Sequence, residues 1–149
     1  RLLDLVFTPR RKILSSYQLR SSTNKVDKLS YVIKDITNNV VGSIRFWNIK
    51  IDSHNSKGLL LGPLAIHPIY QSEGLGEKLV SNSIEQAYAD NWNWVVLVGD
   101  IGYYSKFGFS KNPTCGISLG DGIDNERLLG LDIKESFLNE AIGSLIKAN

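Results

Sequence analysis

The sequence predicts a mixed α/β (α+β) fold built on one central sheet, antiparallel for the most part and parallel where two strands meet. Two patterns predict it. A β-hairpin pattern occupies positions 29–47, and a strand–helix–strand pattern follows over 59–98, which calls for parallel strands joined by a right-handed crossover. At 149 residues the chain is about one core's worth. No repeat, linker or composition shift divides it, so the expectation is a single domain over 1–149.

In chain order, Leu2 to Phe7 and Arg10 to Leu19 read as two short helices parted at Pro9. The run Arg10-Arg11-Lys12 is a candidate anion site, but three adjacent charges point in different directions around a helix, and a solvated face is the better reading. Leu29 to Lys34 and Val40 to Trp47 are rich in β-branched and aromatic residues, with the turn cluster Thr37-Asn38-Asn39 between them. Leu59 to Ile66 is a continuous apolar run flanked by Gly and Pro, as expected of a central strand buried on both faces. Pro63 inside it cannot donate a ladder hydrogen bond, so the sheet is expected to be bulged or interrupted there.

From Gly74 to Ala89 the period becomes helical, with Leu75, Leu79, Val80, Ser83, Ile84, Ala87 and Tyr88 on one face. Trp94 to Val98 is a compact buried strand, and Tyr103 to Phe107 a short helical turn ended by Gly108. Phe109-Ser110 and Arg127 to Ile133 read as strands joined by the Gly-rich stretch from Gly116 to Gly130. Ser136 to Ala148 reads as a terminal amphipathic helix.

Composition narrows the function. With 42% hydrophobic and 21% charged residues, the chain is that of an ordinary folded protein, which excludes disordered and low-complexity scaffolds. A net charge of +2 is too small to argue for a phosphate-tracking surface, so no nucleic acid partner is expected. The lone Cys115 has no disulfide partner, and two histidines without spaced Cys/His pairs give no structural metal site. No run approaches the roughly 18 to 20 apolar residues that span a bilayer. A cytoplasmic protein with no membrane partner is expected. The chain contains no Met, even at position 1, so it is expected to begin inside a longer polypeptide.

The sharpest local feature is Gln71-Ser72-Glu73-Gly74-Leu75-Gly76, between the buried strand and the amphipathic helix. Glycines at a helix mouth let the backbone approach a ligand, and the first-turn N–H groups lack internal partners and carry the positive end of the dipole. That arrangement suits a pyrophosphate. Alone it is equally compatible with a plain strand-to-helix turn. It matches neither the Gly-Lys-Ser/Thr nucleotide loop nor the three-glycine dinucleotide fingerprint.

Taken with its surroundings the segment is more specific. The run from Leu61-Gly62-Pro63-Leu64-Ala65-Ile66-His67-Pro68 through Gly76 resembles the acetyl-coenzyme A motif of the GNAT N-acetyltransferases, whose loop reads Gln/Arg-x-x-Gly-x-Gly/Ala. Val95 to Asp100, then Tyr103-Tyr104-Ser105-Lys106-Phe107-Gly108-Phe109, resembles the same family's fifth strand, catalytic tyrosine and Gly-Phe ending. The likeness is nearest to a bacterial subgroup of predicted N-acetyltransferases and covers Leu29 to Phe109. It implies a GNAT-like sheet with a splayed central strand pair, its first strand missing from this chain.

The resemblance also implies a mechanism. The backbone of Leu64, Ala65 and Ile66 pairs with the pantetheine arm, and the loop Gln71, Ser72, Glu73, Gly74, Leu75 and Gly76 holds the pyrophosphate of acetyl-CoA, the acetyl donor. A primary amine attacks the thioester directly, a strand N–H near Ile66 donates to the oxyanion, and Tyr104 protonates the leaving thiolate. No metal is implied. Asp100 stands where many relatives carry a cofactor-contacting asparagine, which puts that contact in question. Tyr103 is read as packing, His67 as a structural or exposed histidine at a strand end, and Glu73 as facing solvent. Arg45 and Trp47 either line the acceptor pocket or are a surface arginine and a packed tryptophan, the latter favoured. The expected partner is a small-molecule or peptide amine, with a homodimer left open. The alternatives are a non-catalytic acetyl-CoA/CoA-binding regulatory domain and, last, a nucleotide or phosphometabolite binder using only the Gly74–Gly76 helix mouth.

Overall fold

A computed structural model describes residues 19–21, 24–52, 54–119 and 126–148. The opening helices expected before Leu19 lie outside the described residues. Strands β1 (Tyr31–Lys34) and β2 (Val40–Ile51) form the expected hairpin, pairing antiparallel from Tyr31↔Ile44 to Lys34↔Val40. Leu29 is not part of it: Asp27–Leu29 forms a 3-10 turn that buries Leu29 before the strand starts. The connecting turn closes on Asp35, whose carboxylate accepts from the N–H groups of Thr37 and Asn39, each at 2.9 Å. Asn38 supplies the positive φ of 70° that such a turn demands.

Strand β3 (Gly58–Ile66) lies in the middle, antiparallel to β2 and parallel to β4 (Trp94–Val98), and helix α1 (Leu75–Ala89) makes the crossover between β3 and β4. Short helix α2 (Ile101–Tyr104) follows β4 and runs into a 3-10 turn over Ser105–Phe107 that Gly108 ends. Strands β5 (Ile117–Ser118), β6 (Leu128–Asp132) and β7 (Gly143–Lys147) complete the sheet, in the order β5-β7-β2-β3-β4-β6 with β1 beside β2. β1 and β7 both pair with β2, at opposite ends of it.

The bulge expected at Pro63 is present. Ile44 faces Leu64 while Phe46 faces Leu61, so Arg45 stands opposite two residues, Gly62 and Pro63, which are joined by a cis peptide bond. The extra residue resets the alternation of β3. Leu59 and Leu61 before it, and Leu64 and Ile66 after it, belong to one hydrophobic cluster with Ile44, Phe46, Val95, Leu97 and the α1 residues Leu79, Val80 and Ala87. Trp47, Ile49, Ile51, Leu60, Trp94 and Val96 form a second cluster, joined by Leu138 and Leu145 of the tail. On β2 the two sets fall at alternate positions, so the strand separates a helix-covered core from a tail-covered one.

Two expectations are corrected. Ser136 to Ala148 is not an amphipathic helix: only Leu138–Glu140 makes a 3-10 turn, and Gly143–Lys147 is a strand, antiparallel to Ile49–Ile51 and parallel to Ile117–Ser118. The open edge of β2 captures this segment, and Gly143, a poor helix former, lets the chain pass so close to Asp52 that a Cβ there would sit 2.5 Å from its carboxylate. Tyr88 is 57% exposed, so the apolar face of α1 ends at Ala87. Among the described residues no helix is long and apolar enough to cross a membrane.

Candidate functional site

Register explains where a cleft opens. β3 and β4 pair only over Gly58↔Trp94, Leu59↔Val95 and Leu60↔Val96, after which the bulge turns β3 away while β4 runs on to Val98. Beyond this point β3 stays on β2 alone, with Ser43↔Ala65 and Ile44↔Leu64 in register and His67 N–H donating to Val41 O at 2.7 Å. That last bond places the hydrogen-bonded positions of the ladder at His67 and Ala65. The main-chain groups of Leu64 and Ile66 therefore face the splayed edge, whereas those of Ala65 are turned to β2. Of the three strand residues expected to offer backbone to a ligand, Leu64 and Ile66 have their main-chain groups on this edge, and Ala65 has its own in the β2 ladder.

The chain leaves the cleft through a tight elbow. His67 caps the 3-10 turn Pro68–Tyr70, its Nδ1 accepting from Ile69 N–H at 3.3 Å, and this role in the turn fits a structural histidine. The Gln71 side chain reaches back and donates to Ile66 O at 3.0 Å, tying the loop to the strand end. Gly74 then takes a left-handed conformation, φ 77° and ψ 13°, at the N-cap of α1, where a side chain would be strained. Among the described residues, the N–H groups of Ser72, Gly74, Leu75, Gly76 and Glu77 make no hydrogen bond, while Glu73 N–H is used within the turn. The loop thus presents a row of unused donors at the positive end of a 15-residue helix. Glu73 is exposed, as expected.

The wall facing this elbow comes from α2. Asp100 caps α2, its carboxylate accepting from Gly102 N–H at 3.3 Å, and it is exposed. Tyr104 lies against the backbone of Gly99, where a Cβ would come within 2.8 Å of its ring, and edge-on to Phe109 at 6.0 Å. Burial, with a smaller contribution from neighbouring Tyr103, pushes its phenol up to about 12. Tyr104 is thus a protonated donor set between the end of β4 and the hydrophobic core.

Tyr103 is not simple packing. Its hydroxyl reaches the helix mouth, so close that a Cβ on Gly76 would lie 2.6 Å from it. Lys106 Nζ stands 4.4 Å above the Tyr103 ring and bonds Glu77 Oε1 at 3.1 Å, bridging the turn after α2 to the first turn of α1. The spacing Tyr103, Lys106, Phe107 would have put these residues on one helical face, but which element that face meets is decided by the packing of α2 on α1. Trp47 is buried, its indole N–H donating to Gly62 O at the bulge, and Arg45 is exposed. The indole N–H of Trp47 is thus engaged at the bulge.

Comparison with known proteins agrees with this architecture. A family model for the acetyltransferase (GNAT) domain matches residues 27–111. A curated relative, the uncharacterized N-acetyltransferase YhbS of Escherichia coli K12, is 28% identical over 81 residues, 54% of this chain and 48% of that protein. The chain's match therefore spans about half the length of the curated relatives. The crystal structure of Escherichia coli YhbS in complex with CoA superposes with a TM-score of 0.82 at 21% identity, covering 99% of this chain and 81% of that one. A GNAT acetyltransferase from Brucella melitensis in complex with acetyl-CoA gives a TM-score of 0.67 at 23% identity, over 95% and 79% of the two chains. Strands β1 to β4, the splay between β3 and β4 and the elbow into α1 all lie inside the stretch that the family model covers, and the chain belongs to the GNAT acetyltransferase family.

Proposed function

We propose that this protein transfers an acetyl group from acetyl-CoA to a primary amine by direct attack, with Tyr104 as the general acid. The observation that carries the reading is the splay after Leu60↔Val96, which turns the main chain of Leu64 and Ile66 toward an open edge leading into the unused amides of Ser72 and Gly74 to Glu77. A pantetheine arm is a chain of amides that can add to such an edge as a strand would, and its pyrophosphate suits the helix mouth. The two similar structures named above hold CoA and acetyl-CoA. The thioester carbon would then lie near the end of β4, with Ile66 N–H available to the oxyanion and the Tyr104 hydroxyl to the sulfur. Attack by the neutral amine forms the C–N bond. Collapse breaks C–S, the thiolate takes its proton from Tyr104, the nitrogen loses one to solvent, and solvent returns one to the Tyr104 phenolate.

The test is a thermal titration with acetyl-CoA, CoA and ATP, followed by turnover with an amine series. A ligand binding only the folded state at about 100 times its Kd adds roughly 2.7 kcal/mol, so both CoA species are expected to raise the midpoint clearly and ATP is not. Equal stabilisation by ATP would point instead to a phosphate site without a pantetheine groove. A CoA-dependent rise with no turnover on any amine would favour a non-catalytic CoA-binding domain.

Gly76 offers a separate check. The family motif accepts Gly or Ala at this position, but here an added methyl meets the Tyr103 hydroxyl. Gly76→Ala is expected to displace Tyr103 and weaken CoA binding about tenfold, with a small change in the ligand-free midpoint, because the group that gives way is the end of a partly exposed side chain. Calorimetric titration measures both, and unaltered affinity would mean that the mouth does not hold the pyrophosphate.

A further inference from the structure

The helix mouth already carries an anion of its own. Glu77 stands in the first turn of α1, beside the unused amides, and its carboxylate holds Lys106 at 3.1 Å. Acidic side chains are favoured at that end of a helix for the same reason that phosphates are. Both partners are well exposed, with side-chain accessibilities of 43% and 55%, so the pair contributes little to stability and separates easily. Lys106 is also carried by the same short segment as Tyr103, whose hydroxyl is already at Gly76. A dianionic pyrophosphate arriving on these amides would compete with Glu77 for the Lys106 ammonium.

We propose that Lys106 is an exchangeable ligand of the CoA pyrophosphate, leaving Glu77 for a phosphate oxygen when the cofactor binds, with the Tyr103 hydroxyl donating to the same group. This rests on the acetyl-CoA reading of the site and adds two side chains to a cradle otherwise made of backbone. Tyr103 is suited to the role, since burial holds its phenol above the usual value and the hydroxyl stays a donor. Glu77 is then a competitor that tunes affinity by occupying Lys106 in the free protein.

The exchange has a signature that a merely structural ion pair lacks, because the two single substitutions act in opposite directions. In calorimetric titration of the full chain with CoA, Lys106→Met is expected to weaken binding about tenfold, Tyr103→Phe a few-fold, and Lys106→Arg little. Glu77→Gln is expected to tighten binding a few-fold, and Lys106→Met/Glu77→Gln to bind like Lys106→Met. Unchanged affinity in Lys106→Met overturns the proposal. So does tightening by Glu77→Gln that persists without Lys106, which would make Glu77 a simple repulsive charge. Dephospho-CoA separates the phosphates: the penalty of Lys106→Met must persist with it, and its disappearance would assign Lys106 to the 3′-phosphate instead. Ligand-free midpoints within a degree of wild type confirm that all variants fold. Failure of the wild-type chain to bind any CoA would remove the acetyl-CoA reading, and this proposal with it.

Discussion

Tyr104→Phe is expected to lower kcat about a hundredfold or more while CoA affinity stays within about twofold. Loss of a positioned proton donor costs on the order of 10² to 10⁴ in rate. The ring itself packs against Gly99, Phe107 and Phe109, and Phe keeps those contacts. With a phenol pushed up to about 12, the hydroxyl stays protonated across the working range. Such a group is a weak acid toward an ordinary thiolate with a pKa of about 8.5, so much of its effect comes from a hydrogen bond that stabilises the thiolate before the proton moves. The pH profile follows: the wild-type rate shows no decline from Tyr104 ionisation until the pH nears 12. A loss of rate centred near pH 10 that Tyr104→Phe abolishes would contradict this environment, and unchanged turnover in the variant would end the general-acid role. The same shift has a sign for stability. The folded state favours the neutral phenol, so its contribution is intact below the ordinary value of 10.0 and is lost as pH rises toward about 12.

The second large effect is expected at Gly58. It starts β3 in register with Trp94, and a Cβ placed on it would come within 2.2 Å of two carbons of the Trp94 indole. Trp94 is fully buried, its N–H donates to Ser56 Oγ at 2.8 Å, and its ring stacks on Phe137 at 6.5 Å. The collision is with the body of the ring, and neither the indole nor the strand has room to retreat. Gly58→Ala is therefore expected to destabilise by about 1–3 kcal/mol or more, the usual range for overpacking a core. For a chain of this size that is roughly 3–10 °C or more in Tm. It should also perturb the near-ultraviolet dichroism of the tryptophans, and because only three residue pairs join β3 to β4, cofactor binding should weaken with the pairing. A Tm within one degree of wild type would show that the packing around Trp94 is looser than described.

Local chemistry made much of this legible. The hairpin is bracketed by its turn residues, β3 by Gly and Pro, and α1 carries its own period, so each could be read from a window of a few residues. Pro63 announced the bulge, and the bulge makes the splay. The tail was misread for a physical reason: Phe137, Leu138, Ala141, Ile142, Leu145 and Ile146 recur at helical spacing, yet the free edge of β2 at Ile49–Ile51, nearly a hundred residues earlier, takes Gly143–Lys147 as a strand. The placement of Tyr103 was hidden for a related reason, since its hydroxyl meets Gly76 only through the way α2 lies on α1. Ala65 could have been separated from Leu64 and Ile66 only with the β2 register in hand.

The position of β2 bears on how the molecule comes apart. Ile44 and Phe46 anchor the helix-side core, and Trp47, Ile49 and Ile51 the tail-side core, all from one continuous strand that pairs with β1, β3 and β7. Neither core can melt while this strand keeps its ladders, and neither survives its loss. The two layers are thus one cooperative unit rather than two foldons, and amide exchange from the centre of β2 must wait for global unfolding. Because that unit closes only when the last strand returns to residues 49–51, its contact order is high, and a ribosome-bound chain lacking its C-terminal segment would hold the cofactor cleft on an unfinished scaffold.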